Sequence, residues 1–514
     1  MKIEELNEKY KTIKENNIFK ADDEKVERWD EPVENHPIRN NFQRDRDRIL
    51  YSRAFRRLSG KTQVFTSSND DHLRTRLTHT LEVSQIARTI SKELGLDEDL
   101  TEAIALGHDL GHTPFGHVGE RTLNQIMNGC YRIADFNDDI SYNNLGFKHN
   151  LQGVRVITDL EETSLNLTKE TIWGIVNHSS KGKKECLEGD VINCNLKHKN
   201  PNVKCCRKMI SLDFYDNYLQ DIDDDKFWTL EGLVVAFADE IAQRHHDIED
   251  GIEFKILSIK EVYDQININF KNALENNENK SQNNLLKKLD KEEDKYTAIS
   301  IFSKFIVDFL TTDLINQSKK NLIELVKKYS LNSMDDFYMK KQLIYSENIT
   351  DKISKNKIIN FSMEINIGDK EFHEFLYNRI LNSYEAQRMD GLGSYVITKL
   401  FEAYTYNPQQ LRDKSINKLY RNIKDKEDEF NQILNSSVNE NEKEFIESIL
   451  KKFKTIKNTG DKRSFIVDLH YRIMSSDYSI EKSYKDALMR TICDYISGMT
   501  DKFALNDHKS LYNN

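Results

Sequence analysis

Five prolines in 514 residues leave this chain with few obligatory helix breakers. Apolar residues recur at the spacing of a helix face through most of it, and strand-like alternation is scarce. An all-α fold is expected. Leu100, Ala103, Ile104 and Leu106 line one side of a helix that should end near Leu110. Val83, Ile86, Ala87, Ile90 and Leu94 do the same behind His79. Leu230, Leu233, Val234, Phe237 and Ile241 mark a long helix over Phe227 to Gly251. Asn41 to Gln63 reads as an amphipathic basic helix, with Ile49, Leu50, Ala54, Phe55 and Leu58 apolar and Arg44, Arg46, Arg48, Arg53, Arg56 and Arg57 around them. Such a face is usually solvated or paired with acids, and phosphate binding is the rival.

A chain this long can bury a large core and form two or more units. Residues 1–40 are polar and are expected to wrap the surface. Residues 41–273 should form the core, with an aperiodic loop at 131–145 and a Cys/Lys-rich loop at 181–208. That loop holds Cys186, Cys194, His198, Cys205 and Cys206, whose spacings match no CxxC pair of a structural zinc site, so free thiols are expected. Residues 274–296 read as a polar linker or loop. Residues 297–514 read as a helical C-terminal region, with Asp390-Gly391-Leu392-Gly393 as a break.

The net charge of −10 argues against a generally basic nucleic-acid-binding surface, so a polyanionic ligand would need a local basic pocket. The start, Met1-Lys2-Ile3-Glu4-Glu5, lacks a signal-peptide core. No run approaches the ~18 apolar residues of a membrane span. Six cysteines make no disulfide framework, and a cytoplasmic protein is expected.

Chemistry concentrates between His108 and Glu120. His108, Asp109, His112, His117 and Glu120 fall within thirteen residues, broken by Gly111, Pro114, Gly116 and Gly119. A single histidine at a helix end most often only caps carbonyls. Five titratable groups this close point to a reactive site. His79 opens a helix one hairpin earlier and can fold back beside the His108-Asp109 pair. Asp239, Gln243 and Asp247 recur every four residues on one face. Asp239 stands in the most apolar part of its helix, where a carboxylate needs a partner or a metal. Together His79, His108, Asp109 and Asp239 offer two nitrogens and two carboxylates. That set suits a six-coordinate Mn, Fe, Co, Ni or Mg ion with open positions better than a closed zinc site.

The order His, His-Asp, Asp resembles the HD superfamily of metal phosphohydrolases. Arg56-Arg57-Leu58, Lys61-Thr62-Gln63-Val64-Phe65, Arg74-Thr75-Arg76-Leu77-Thr78-His79, Gly107-His108-Asp109-Leu110-Gly111-His112, Pro114-Phe115-Gly116-His117 and Gly119-Glu120 are similar to the bacterial deoxyguanosinetriphosphate triphosphohydrolases. So are Phe147-Lys148-His149-Asn150 and Gly498-Met499-Thr500-Asp501. The resemblance implies an all-α HD domain with a helical C-terminal extension. It also implies metal-dependent hydrolysis of a dNTP, dGTP foremost, to deoxynucleoside and triphosphate. His117 would then be the proton donor to the leaving 5′-oxygen. His112 and Glu120 would orient water and move its proton, and His149 would contact phosphate or a proton. Arg76 and Arg57 would hold the triphosphate, and Gln63 and Asp247 would lie near the sugar 3′-hydroxyl. Gln243 departs from the family, where many members place a tyrosine against the deoxyribose. The resemblance further implies a homo-oligomer, tetramer or hexamer, with a possible nucleotide effector. Two other readings stay open: an HD phosphodiesterase or 5′-nucleotidase, and a nucleotide-sensing or nucleic-acid-binding protein with a vestigial site.

Overall fold

The computed structural model describes residues 3–30, 36–63, 74–131, 133, 146–179, 212–222, 224–275, 279–349, 356–436, 439–475 and 478–512. The cysteine-rich loop and nearly all of 131–145 lie outside them. Among the described residues there is no strand, only two isolated β-bridges, Arg28 with Thr168 and Thr62 with Thr75. No helix there is long and apolar enough to cross a membrane. The all-α expectation holds.

The chain divides into two compact units, each drawn from three segments. The first comprises residues 1–112, 149–182 and 217–390, and the second 113–148, 183–216 and 391–514.

The first unit opens with α1 (Ile3–Glu15), followed by α2 (Asn41–Tyr51) and α3 (Arg53–Arg57). Next come α4 (Arg76–Leu94) and α5 (Glu98–Gly107). The second unit then contributes α6 (Gly116–Met127). The first unit resumes with α7 (His149–Arg155), α8 (Lys169–Asn177) and the long α9 (Leu230–Glu253). Local chemistry starts these helices where they start. Thr75 caps α4 in a reciprocal box with Thr78, Asp97 caps α5 through Leu100 N–H, and Thr229 caps α9 through Gly232 N–H. The apolar stripes read from the sequence are the buried faces: Val83, Ala87, Ile90, Leu100, Ile104, Leu233, Val234 and Ile241 are each fully buried or nearly so.

Four expectations are corrected. Residues 1–40 do not merely wrap the surface. Leu6, Tyr10 and Ile13 of α1 are buried, and Tyr10 donates to Leu94 O at 2.9 Å. Asn41–Gln63 is not one helix. Ser52 is extended and its hydroxyl caps the next turn at Phe55 N–H, so α2 and α3 are separate. Its arginines are largely spoken for: Arg46 meets Asp99 at 3.0 Å, Arg53 meets Glu162 at 3.0 Å, and Arg48 donates to Leu165 O.

The polar stretch 274–296 contains α10 (Lys280–Leu289), whose Leu286 and Leu289 are buried. Asp390–Gly393 does not break the chain but lies inside α11 (Tyr384–Tyr406). Glycine there serves packing. A Cβ on Gly393 would stand 2.8 Å from Phe115 Cβ, so the position needs a residue without one.

Candidate metal centre

Three helices of the first unit bring the sequence-separated candidate ligands together. His79 sits in the first turn of α4, His108 caps the C-terminus of α5 with Asp109 beside it, and Asp239 projects from the middle of α9. His79 Nε2 lies 3.0 Å from Asp239 Oδ1. His108 Nε2 lies 3.5 Å from Asp109 Oδ1 and 3.9 Å from Asp239 Oδ1. Asp109 Oδ1 is also 3.1 Å from His112 Nε2, while its Oδ2 accepts from Arg76 Nη1 at 2.8 Å.

These atoms fit a divalent cation. His108 Nδ1–H donates to Ala105 O at 2.7 Å, which leaves Nε2 as a lone pair, and that atom is buried without a hydrogen-bond partner. Ligand atoms of His79, His108 and Asp109 lie within 4.8 Å of one another. Asp239, a quarter exposed, completes a set of two imidazoles and two carboxylates.

The electrostatics keep both acids ionised. Burial alone would raise the Asp109 carboxyl, but His108, His112 and Arg76 hold it well below the usual carboxylate range. Asp239 is likewise lowered against its own burial by its neighbours His79 and His108. Burial, with Arg76 and His149 adding to it, pushes His112 well below the ordinary imidazole value. A neutral imidazole is what a metal site or a proton acceptor needs.

His79 is itself held from behind. Its Nδ1 faces His246 Nδ1 at 3.4 Å, and His246 Nε2 bonds Glu82. One proton arrangement satisfies the whole line: Glu82 accepts from His246 Nε2–H, His246 Nδ1 accepts from His79 Nδ1–H, and His79 Nε2 keeps its lone pair.

The remaining candidates divide between the units. In the first, the rings of His112 and His149 stack at 3.8 Å, and His149 Nε2 is 3.2 Å from His178 Nε2. Arg76 is buried, and its Nε and Nη2 have no hydrogen-bond partner, nor does Gln63 Oε1. Arg57 lies 3.8 Å from Glu161. Gln243 is half-buried on α9, and one turn on, burial pushes the Asp247 carboxyl up to about 7, with Arg244 opposing. In the second unit, His117 is exposed in the first turn of α6, three residues before Glu120, which stands 3.9 Å from Lys148. Phe115 caps α6 in the left-handed region at φ 60°, and its N–H donates to Asp501 at 2.9 Å.

Sequence reading missed His178, His246 and Glu82. His178 reads as an ordinary helix cap, His246 is one of the polar residues from Gln243 to Asp247, and Glu82 reads as a surface acid, so no motif singles them out.

A family model described as HD domain matches residues 76–218, a span that includes every candidate from Arg76 to His149. A phosphohydrolase-associated domain matches residues 359–432 and 447–510. Relatives named deoxyguanosinetriphosphate triphosphohydrolase-like protein align over most of the chain. The one from Bartonella henselae is 35% identical over 387 residues, covering 74% of this chain and 82% of its own. The one from Geobacter sulfurreducens is 29% identical over 495 residues, 94% of this chain and 91% of its own. A shorter match, 59% identical over 157 residues, covers 30% of this chain and 42% of the relative from Caldanaerobacter subterraneus. A cluster of His and Asp side chains that could hold a metal, gathered from three helices, and two matching family domains thus agree, and the chain belongs to the deoxyguanosinetriphosphate triphosphohydrolase-like family of HD-domain phosphohydrolases.

Proposed function

We propose that the protein hydrolyses a dNTP, dGTP foremost, to the deoxynucleoside and inorganic triphosphate. The observation that carries this reading is Arg76. A buried guanidinium with two unpaired donor atoms sits directly against the ligand carboxylate Asp109, where a phosphate oxygen would satisfy both donors. A divalent cation held by His79, His108, Asp109 and Asp239, of the Mn, Fe, Co, Ni or Mg class, would offset charge developing on the α-phosphate. Water adds to the α-phosphorus and the bond to the 5′-oxygen breaks. His117 gives its proton to that leaving oxygen. His112, kept neutral by burial, and Glu120 take up the proton of the attacking water, with His149 as a further phosphate contact. Arg57 assists with the triphosphate, and Gln63 and Asp247 hold the 3′-hydroxyl. Assembly as a tetramer or hexamer and regulation by a nucleotide belong to the same reading.

The test is a product assay across all dNTPs and NTPs with Mg or Mn. Triphosphate with deoxynucleoside supports the proposal. Release of inorganic phosphate from a nucleoside monophosphate added to the same assay, with no triphosphate from any dNTP, would replace it with a 5′-nucleotidase.

Two smaller effects are expected at this site. Glu82→Gln removes the acceptor that orients His246 and hence His79. Loss of such an outer partner typically weakens metal affinity ~10–100-fold. Competitive metal titration reads this, and an unchanged affinity removes Glu82 from the line.

Gln243 is the other. A tyrosine ring against the sugar would exclude a 2′-hydroxyl, whereas a glutamine amide can hydrogen-bond it. Excluding one hydroxyl by apolar contact is worth ~10²-fold at most in comparable pockets. Gln243→Tyr should therefore widen the dGTP over GTP ratio of kcat/KM by up to about that factor. An unchanged ratio in an active variant means that another side chain sets sugar selectivity.

A further inference from the structure

Glu82, in the second turn of α4, meets two imidazoles at once. His245 and His246 lie side by side in α9 with their rings 4.1 Å apart. Glu82 Oε1 is taken by Arg74 Nη2 at 3.1 Å, and Arg74 reaches on to Glu249 at 2.8 Å. Glu82 Oε2 faces both rings: His246 Nε2 bonds it, and His245 Nε2 stands 3.5 Å away. Ligand atoms of the three residues lie within 4.8 Å of one another. The Glu82 side chain is 36% exposed, so the cluster opens to solvent although both rings are buried.

The line behind His79 accounts for His246 but not for His245. The His245 side chain is more than nine-tenths buried, its Nδ1 has no hydrogen-bond partner, and its Nε2 is at the outer limit of one to Glu82. Burying a polar ring on those terms costs free energy that hydrogen bonding does not return. Two hydrogen bonds onto Glu82 Oε2, without a cation, would serve His246 alone. A cation held by Oε2 and the two Nε2 lone pairs gives His245 a strong partner as well.

We infer that Glu82, His245 and His246 form an outer divalent-cation site that works against the inner centre. Two imidazoles and one carboxylate suit Zn, Ni, Co or Cu better than Mg. The opposition comes through His246. A neutral ring that gives its Nε2 lone pair to a cation carries its proton on Nδ1. That proton faces His79 Nδ1 at 3.4 Å, so His79 must accept there and hold its own proton on Nε2. His79 Nε2 is the atom 3.0 Å from Asp239 Oδ1, and once protonated it has no lone pair for a metal. Filling the outer site therefore weakens the inner one, and by linkage the converse holds to the same extent. The opposition, though not the outer site itself, rests on the inner centre binding metal.

Ni²⁺ is the probe, because imidazole suits it. The full chain is stripped of metal and dialysed against Ni²⁺, and bound nickel is counted by elemental analysis. Separately, Mn²⁺-supported triphosphate release is followed as Ni²⁺ is added. His245→Asn keeps a polar side chain and removes the Nε2 lone pair. Two Ni per chain are expected in the wild type and one in the variant, whose Mn²⁺-supported rate without Ni²⁺ should be unchanged. Ni²⁺ should inhibit the wild type at about tenfold lower concentration than the variant, within the usual range of coupling between sites. Equal nickel counts in the two proteins overturn the outer site. Should the variant not fold, the wild-type count decides, and one Ni overturns it. A difference of one Ni with equal inhibition overturns the opposition. No triphosphate under Mn²⁺ overturns the proposed reaction instead, and the nickel counts still decide the outer site.

Discussion

Asp109→Ala should abolish metal binding and hydrolysis together, and should also destabilise the chain. The carboxylate is the hub of the centre: it lies 3.5 Å from His108, 3.1 Å from His112 and 2.8 Å from Arg76. Removing it takes away one of the four proposed ligands. It also leaves the Arg76 guanidinium buried without its counter-charge, a change that typically costs ~3–5 kcal/mol. His108→Ala should lose metal and activity with a smaller stability loss, because it strands only a neutral acceptor, Ala105 O, and not a buried charge. Elemental analysis, a triphosphate assay and denaturant melts separate these effects. A folded Asp109→Ala protein with full metal and full activity would falsify the centre described above.

His117→Ala should behave differently. It should keep its metal, because His117 is on α6 of the second unit and outside the ligand set. Its kcat should fall by ~10²–10⁴, the usual contribution of a positioned general acid. The poorer the leaving group, the larger the loss, so a substrate with an activated aryl leaving group should recover part of the rate. Wild-type kcat in the variant removes His117 from the chemistry. Loss of metal instead would move it into the ligand set.

The two variants test what was readable in the sequence to different depths. His79, His108, Asp109 and Asp239 could be picked out because a buried acid on an apolar helix and an adjacent His-Asp pair each demand an explanation, and helical periodicity shows that they can meet. His178 carried no such signal. A histidine at the end of a helix is ordinarily a cap, and His178 is indeed a cap; only its distance to His149 distinguishes it.

Errors in the fold have equally local causes. Gly391 and Gly393 read as a breaker because isolated glycine costs a helix ~1 kcal/mol, yet packing against Phe115 repays that at Gly393. Residues 274–296 read as linker because their composition is polar, although two leucines of α10 suffice to seat a short helix. Ser52 was passed over because apolar spacing continues across it, while its hydroxyl stops one helix and starts the next.

Phe115 holds a left-handed backbone that a bulky side chain ordinarily avoids, and its N–H is taken by the Asp501 carboxylate, 386 positions further along the chain. A ribosome emits Phe115 long before it emits Asp501. During that interval α6 can form, but the strained turn that opens it has no counterpart to hold it. The nascent protein would thus carry its four candidate ligands, all encoded by residue 239, well before the turn next to His117 gains its partner.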